Sequence, residues 1–111
     1  MPNTFTAKEL GNGQVANSQT TIFTATADVT TYVKHLSLYS TNAAQQTVQL
    51  WLKHSGGTAR KWKRYVLEQD EQVDVIEGGE AYMLDEGTEI QASTTTNNGV
   101  DWWADGIEET T

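Results

Sequence analysis

Apolar and polar residues alternate in short runs through most of the chain. Around Val48 the alternation is regular, with Val48, Leu50 and Leu52 on one face and polar or aromatic residues at the positions between them. A period of two residues is typical of a half-buried strand, and no window shows the i, i+3, i+4, i+7 spacing of an amphipathic helix. The runs are rich in Thr, Val, Ile, Tyr and Trp, the residue types favoured in strands. The pattern therefore predicts an all-β protein.

The runs, and the turn residues between them, predict eight to nine short antiparallel strands. They lie near residues 3–9, 19–25, 30–41, 46–54, 60–67, 72–77, 80–85, 88–96 and 100–108. Strands of this number and spacing are typical of a β-sandwich or a jelly roll. The 111 residues match the length of one domain. We assign residues 19–111 to a single β-sandwich domain, and residues 1–18 either to an extended N-terminal arm or to an edge strand.

Two dipeptides predict tight hairpins. Asn98-Gly99 fits a type I′ turn, in which both central residues have positive φ, and it would place Thr95 opposite Trp102. Gly78-Gly79 would in the same way place Val75 opposite Tyr82. In both cases strands that are consecutive in sequence are expected to be neighbours in one sheet.

The register between the fourth and fifth predicted strands depends on the length of the loop that joins them. A five-residue loop places Trp62 opposite Leu52, facing the core, whereas a two- or four-residue loop places it opposite Trp51, on the outer face. We prefer the five-residue loop, which pairs Val48 with Val66. It keeps two neighbouring lysines out of the core at the cost of turning one arginine inward.

Charge is distributed unevenly along the chain. Residues 1–67 hold all seven basic residues and two acidic ones, a net charge of +5, whereas residues 68–111 hold thirteen acidic residues and no Lys or Arg. Two interpretations are open: the strands of the two halves interleave and their charges pair, or the subunit is dipolar and its basic edge meets an acidic patch on a neighbour. The total of −8 argues against nucleic-acid binding. No segment approaches the roughly 18 apolar residues of a membrane span, so we expect a soluble protein.

No sequence context supplies a catalytic constellation. His35 and His54 are the histidines of the chain, and neither has a nucleophile and an orienting group at a diagnostic spacing. The chain has no cysteine, which excludes disulfides and thiolate metal sites. Asp85, Glu86 and Glu89 form the candidate calcium loop, but their spacing matches no EF-hand and a solvated turn is the simpler interpretation. We expect a protein that is not an enzyme and that holds no cofactor and no metal.

Aromatic and basic residues indicate a protein-binding surface. They cluster between Trp51 and Tyr65, and Trp103 shares a strand face with Asp101 and Asp105, which marks that face as exposed. Trp, Tyr and Arg are enriched in interface hot spots, and cations steer an acidic partner. The candidate interface residues are Phe5, Trp51, Lys53, Arg60, Lys61, Trp62, Lys63, Arg64, Tyr65 and Trp103. Exposed tryptophans at positions 51 and 103 also suit a carbohydrate-binding module, which is the alternative interpretation.

Several segments of the chain resemble one family. They are residues 3–6, 19–24, 35–42, 55–60, 100–101 and 106–110. In them the chain resembles the small β-sandwich staple and decoration proteins of tailed-phage capsids, in particular that of the short-tailed phage epsilon-fifteen. Relatives of this pattern also serve as tail or head-fibre components.

The resemblance carries expectations about fold, partner and location. It implies a jelly-roll-like sandwich that is made in the host cytoplasm and sits on the capsid exterior of the virion. It also implies that the partner is the major capsid (coat) protein and that a two-fold homodimer staples neighbouring coat subunits.

Overall fold

A computed structural model describes residues 3–76 and 81–110 of the chain. Within these ranges the protein forms strands and no helix. The strands are β1 (Thr4–Gln14), β2 (Thr20–Thr24), β3 (Val29–Ser40), β4 (Gln46–Lys53), β5 (Arg60–Leu67), β6 (Gln72–Ile76), β7 (Tyr82–Leu84), β8 (Glu89–Ser93) and β9 (Val100–Thr110). The all-β prediction is confirmed. A helix long and apolar enough to cross a membrane does not occur in the described part of the chain.

The strands pair as a long ribbon that is folded back on itself. Outward from the β4–β5 pair, β3 pairs with β6 and β7, β2 with β8, and β1 with β9, always antiparallel. Rolling this ribbon brings β9 beside β3 and β8 beside β4. The result is a first sheet in the order β1-β9-β3-β6, with β7 also beside β3, and a second sheet in the order β2-β8-β4-β5. This connectivity is that of a jelly roll, as the resemblance implied.

The core lies between the two sheets and is built from alternate strand residues. Val48 and Leu50 on β4, and Leu36 and Leu38 on β3, are fully buried. Val33 also faces the core although it lies three residues before Leu36, because the β3–β9 register shifts between Val33 and His35. Each buried leucine contributes roughly 1.5–3 kcal/mol of transfer free energy. The polar residues at the alternate positions form the outer faces of the sandwich.

The hairpin predicted at Asn98-Gly99 is wrong. Asn98 does have a positive φ of 62°, but β8 and β9 belong to different sheets. Residues 94–99 therefore cross from the second sheet to the first. The N–H of Asn98 donates to the Val15 carbonyl and the N–H of Thr94 donates to the Ala16 carbonyl, both at 2.9 Å. The crossing segment is thus held against the connection that leads from β1 to β2.

The cross-strand pair of Val75 with Tyr82, predicted from a turn at Gly78-Gly79, is also wrong. Gly78 and Gly79 themselves lie outside the described part of the chain. The strands on either side, β6 and β7, each pair with β3 and follow one another along its edge. Leu36 is opposite Ile76 and Val33 is opposite Tyr82, so Val75 and Tyr82 are not cross-strand partners.

β1 is the end strand of the first sheet and pairs with β9 over its whole length. The register shifts between Glu9 and Gly11. Beyond this bulge the indole ring of Trp102, on β9, covers two glycines of β1. A Cβ atom would lie 2.8 Å from this ring at Gly11 and 3.1 Å from it at Gly13. An aromatic ring laid over glycines in an edge strand shields the backbone there, and any larger residue would displace it.

Candidate functional site

Four of the five predicted interface cations lie on an edge strand, and the fifth, Lys53, lies on β4. β5 pairs with β4 on one side and ends the second sheet on the other. Arg60, Lys61, Lys63 and Arg64 are all exposed. Arg60 and Lys63 are opposite the core-facing Leu52 and Leu50, but their side chains reach solvent because the sheet ends at β5. We call β5 and these four residues the basic edge.

The preferred β4–β5 register is wrong, and the reason is a bulge. Val48 is opposite Tyr65 rather than Val66, and the register shifts between Leu50 and Trp51. The extra residue on β5 is Trp62. The bulge allows Trp62 and Tyr65, three residues apart, both to pack against the core. Lys61, Lys63 and Arg64 are all exposed, Lys63 because it lies at the open edge of the sheet.

Trp62 also connects the two sheets at their edges. Its ring contacts that of Tyr82 on β7, with the ring centroids 5.2 Å apart and the planes tilted by 54°. The basic edge of the second sheet therefore lies beside the β6–β7 edge of the first sheet. Asp74 on β6 is exposed on the outer face of the first sheet, opposite Ser37.

The charges of the two halves pair only in part. Both sheets contain strands from both halves of the chain. Lys8 forms an ion pair with Glu108 at 3.2 Å and Lys53 with Glu89 at 3.6 Å. Among the described residues, the four cations of the basic edge form no ion pair. Pairing between the two halves therefore holds for Lys8 and Lys53, and contact of the basic edge with a neighbour stays a prediction.

Trp51 and Trp103 lie on opposite outer faces of the sandwich. Trp51 is half-buried on the second sheet, where Lys61 and Gln91 are its cross-strand neighbours. Trp103 is 36% exposed on the first sheet, between Asn12 and Ser37. Packed sheets are about 10 Å apart, so one ligand cannot stack on both rings. The two tryptophans do not form one binding surface.

Phe5 belongs to an apolar row on the outer face of the first sheet. Ala7, Ile107, Tyr32 and Met83 follow one another in register across β1, β9, β3 and β7. Phe5 lies next to this row and is 62% exposed, and Met83 is 56% exposed. Exposed apolar side chains that form a contiguous patch often mark contact surfaces. The sequence pointed to Phe5 alone, because only the sheet order shows its neighbours.

The rest of this outer face is polar and acidic. His35 Nδ1 lies 2.8 Å from Asp105 Oδ1. The Ser37 hydroxyl donates to Asp74 Oδ1 at 2.8 Å, and this bond, followed by one from Gln72, lowers the pKa of Asp74 below its ordinary value. Ser37 and His35 therefore bond to different carboxylates.

The candidate calcium loop is not brought together. Asp85 and Glu86 line a groove with Asp28 and Glu109, where Glu86 accepts a hydrogen bond from the backbone N–H of Asp28 at 2.6 Å. Glu89 lies instead on β8, where hydrogen bonds from Thr21 and Gln91 lower its pKa. No group of three or more metal-ligating side chains with suitable geometry occurs among residues 3–76 and 81–110.

The sequence-based predictions missed two structurally important residues. Gln46 is fully buried, and its amide is bonded to the segment that crosses between the sheets. Trp102 was considered only as a partner in the hairpin that does not form. The spacing Gly11-x-Gly13 on an edge strand, with an aromatic residue on the neighbouring strand, is the signal by which Trp102 could have been found.

Comparisons with known proteins relate the chain to others by fold. No protein-family model matches it, and no curated protein matches it in sequence. A solved structure from the disulfide-linked pili of Bacillus endospore appendages has a TM-score of 0.54 at 13% identity, with 99% of this chain and 91% of that chain covered. A protein of the T13 particle of the virus IBDV has a TM-score of 0.52 at 9% identity, covering 96% of this chain and 30% of that chain. At such identities the likeness shows the fold alone.

Proposed function

We propose that this chain is a structural virion protein that binds the outer surface of a phage capsid through its basic edge and staples neighbouring coat subunits. The observation that carries the proposal is the basic edge itself: an edge strand with four exposed cations that form no ion pair with the described residues. An edge strand presents unpaired backbone N–H and C=O groups, to which a partner strand can add. The cations would select an acidic partner.

Two further observations support a role in assembly. The fold is shared with subunits of a pilus and of a viral particle. The segments that resemble capsid staple proteins include residues 55–60, which lead directly into β5. Lysines on edge strands also protect against aggregation, and that simpler role predicts no specific partner. The binding experiment below separates the two roles.

The proposed two-fold homodimer has to form through a surface other than the basic edge, because the coat protein occupies that edge in the proposal. A two-fold contact places the same patch of both copies face to face, so the patch has to complement itself. Light scattering on the purified protein should give the mass of a dimer at low salt, and a monomer under those conditions would remove the dimer from the proposal.

The test of capsid binding is co-sedimentation of the purified protein with phage capsids that lack it. We expect saturable binding at low salt that weakens at high salt, because exposed charges are screened within about 10 Å at 0.1 M ionic strength. The variant Lys61→Gln/Lys63→Gln/Arg64→Gln should bind at least tenfold more weakly. A control with the same change in net charge on exposed loop residues, Ser18→Glu/Ala43→Glu/Ala44→Glu, should bind nearly as well as the unchanged protein. No binding at either salt concentration, or equal losses in both variants, would contradict the proposal.

A further inference from the structure

A groove crosses the outer face of the first sheet where β1 meets β9, far from the basic edge. Its volume is about 340 Å³, within the range of roughly 300–1,000 Å³ that is usual for small-ligand sites. The lining residues are Asn12, Gly13, Gln14, Asp101, Trp102 and Trp103. The side chains that face the groove are one indole ring, that of Trp103, two amides and one carboxylate, because Trp102 points to the core side of the sheet.

The aromatic part of the groove is the ring of Trp103. Trp103 is 36% exposed, so part of its ring is open to a ligand. Its neighbour Trp102 is 6% exposed and packs in the core on the other side of the sheet. The backbone of Gly13 and Trp102 therefore lies between the outward-facing side chains of the groove.

The polar part of the groove has unused hydrogen-bonding capacity. Among the lining side chains there is one hydrogen bond, from Gln14 Nε2 to Asp101 Oδ1, and at 3.4 Å it is long. Asn12 donates to Glu9 outside the groove, which leaves its amide oxygen as an acceptor. Donors and acceptors are therefore both present around an aromatic surface.

This combination fits a sugar better than the other classes of ligand. A pyranose ring has an apolar C–H face that can pack on an indole, and hydroxyl groups at its rim that both donate and accept hydrogen bonds. No Lys or Arg lines the groove, while Asp101 does, so a phosphate or a nucleic acid would be repelled. A neutral ligand with hydroxyl groups meets no such penalty.

We propose that this groove binds a neutral saccharide, which packs on Trp103 and forms hydrogen bonds with Asn12, Gln14 and Asp101. The site goes beyond the proposed capsid role and does not depend on it, because the groove is on the first sheet and the basic edge is on the second. It also differs from a site shared by the two exposed tryptophans, since Trp51 lies on the opposite face.

The experiment is a titration of the full chain with neutral oligosaccharides built from glucose, mannose, galactose and N-acetylglucosamine. Binding is followed by tryptophan fluorescence and by two-dimensional ¹⁵N NMR spectra. We expect shifts confined to Asn12–Gln14 and Asp101–Trp103 with at least one sugar. Trp103→Ala should weaken that binding at least tenfold. Trp51→Ala is the matched control and should bind as the unchanged protein does.

Three outcomes would overturn the proposal. One is the absence of shifts with all four sugar series. Another is a loss of binding in Trp51→Ala with none in Trp103→Ala. The third is that a lysine-rich peptide, and no sugar, shifts the groove residues, which would indicate a docking surface for a basic protein instead. Circular dichroism of Trp103→Ala distinguishes a lost contact from a lost fold, and capsid binding by the same variant should be unchanged.

Discussion

The buried amide of Gln46 holds the segment that crosses from the second sheet to the first, a connection that the periodicity of the strands does not predict. Its Oε1 accepts hydrogen bonds from the Thr94 hydroxyl at 3.0 Å and from the Thr96 backbone N–H at 2.8 Å. Its Nε2 donates to the Thr96 hydroxyl and to the Ala44 carbonyl, both at 3.1 Å. All the bonding groups of the amide are used, which is the condition under which a buried polar side chain stabilises a fold. The amide thereby fixes the path of residues 94–96 from the second sheet toward the first.

We expect Gln46→Leu to destabilise the protein by about 2 kcal/mol, because it keeps the side-chain volume but leaves the Thr94 hydroxyl and the Thr96 N–H without their acceptor. Urea unfolding followed by circular dichroism measures the change. The neighbouring Gln45→Leu is the control: Gln45 is exposed, and surface substitutions usually change stability by about 0.5 kcal/mol or less. Equal stabilities of the two variants would contradict the role assigned to Gln46.

The Ser37–Asp74 hydrogen bond leads to a prediction about pH. The hydroxyl of Ser37 contributes most to the lowered pKa of Asp74, with the Gln72 amide second. We expect Ser37→Ala to raise this pKa toward the ordinary value of 3.8, which an NMR titration of the carboxyl carbon measures. Gln72→Ala should raise it less. An unchanged pKa in Ser37→Ala would contradict the assignment.

The lowered pKa of Asp74 also predicts how the stability of the protein depends on pH. A carboxyl whose pKa is lower in the folded state stabilises that state above the pKa of the unfolded chain, and this contribution is lost as the pH falls through the folded pKa. The stability difference between the unchanged protein and Ser37→Ala should therefore be largest near neutral pH and shrink in acid. Urea unfolding at a series of pH values tests this.

At the scale of strands, periodicity predicted every element but not every neighbour. All nine predicted strands are present, because a half-buried strand imposes a period of two wherever it lies in the sheet. The order of strands is not local. Asn98 has the positive φ that its turn propensity indicates, yet the same conformation serves a crossing between sheets as well as it serves a hairpin. The residues of a turn determine the backbone conformation of the loop, but they do not determine which sheet the next strand joins.

The register of β5 was mispredicted for a related reason. Counting residues across a loop assumes that each residue of one strand has one partner on the other strand. The bulge at Trp62 adds a residue to β5, so this assumption fails. With the bulge, Trp62 and Tyr65 reach the core while the cations stay outside. The groove at Trp103 could be predicted from the sequence only in part, because Asn12 and Gln14 come from a strand almost ninety residues earlier in the chain. A single sequence gives no measure of such pairings.

We expect Trp62 and Tyr82 to be energetically coupled, because their rings meet across the edges of the two sheets. In a double-mutant cycle with Trp62→Ala and Tyr82→Ala, the coupling energy should be about 1 kcal/mol, as for other aromatic pairs. The cycle of Trp51→Ala with Tyr82→Ala is the control and should give no coupling, since Trp51 lies on an outer face. Additive effects in the first cycle would mean that the bulge does not tie the sheets together.

At the scale of the whole molecule, acidic and basic residues lie on different surfaces of the sandwich, although both sheets contain strands from both halves of the chain. The outer face of the first sheet carries Asp101, Asp105 and Glu109 on β9, while the edge of the second sheet carries the cations of β5. Opposite charges on different surfaces orient a protein as it approaches a charged partner. A capsid surface that attracts the basic edge would repel the outer face of the first sheet, so the apolar row and the saccharide groove would stay accessible on the bound subunit.

This orientation predicts which lysines the capsid protects. We expect Lys61 and Lys63, on the basic edge, to react at least tenfold more slowly with an acetylating reagent when the protein is bound to capsids than when it is free. Lys8, on β1, forms its ion pair with Glu108 within the subunit and serves as the internal control, since its reactivity should not depend on binding. Mass spectrometry of both samples measures all three sites at once. Protection of Lys8 with undiminished reactivity at Lys61 and Lys63 would mean that the subunit binds through its first sheet, which would place the groove and the apolar row in the interface.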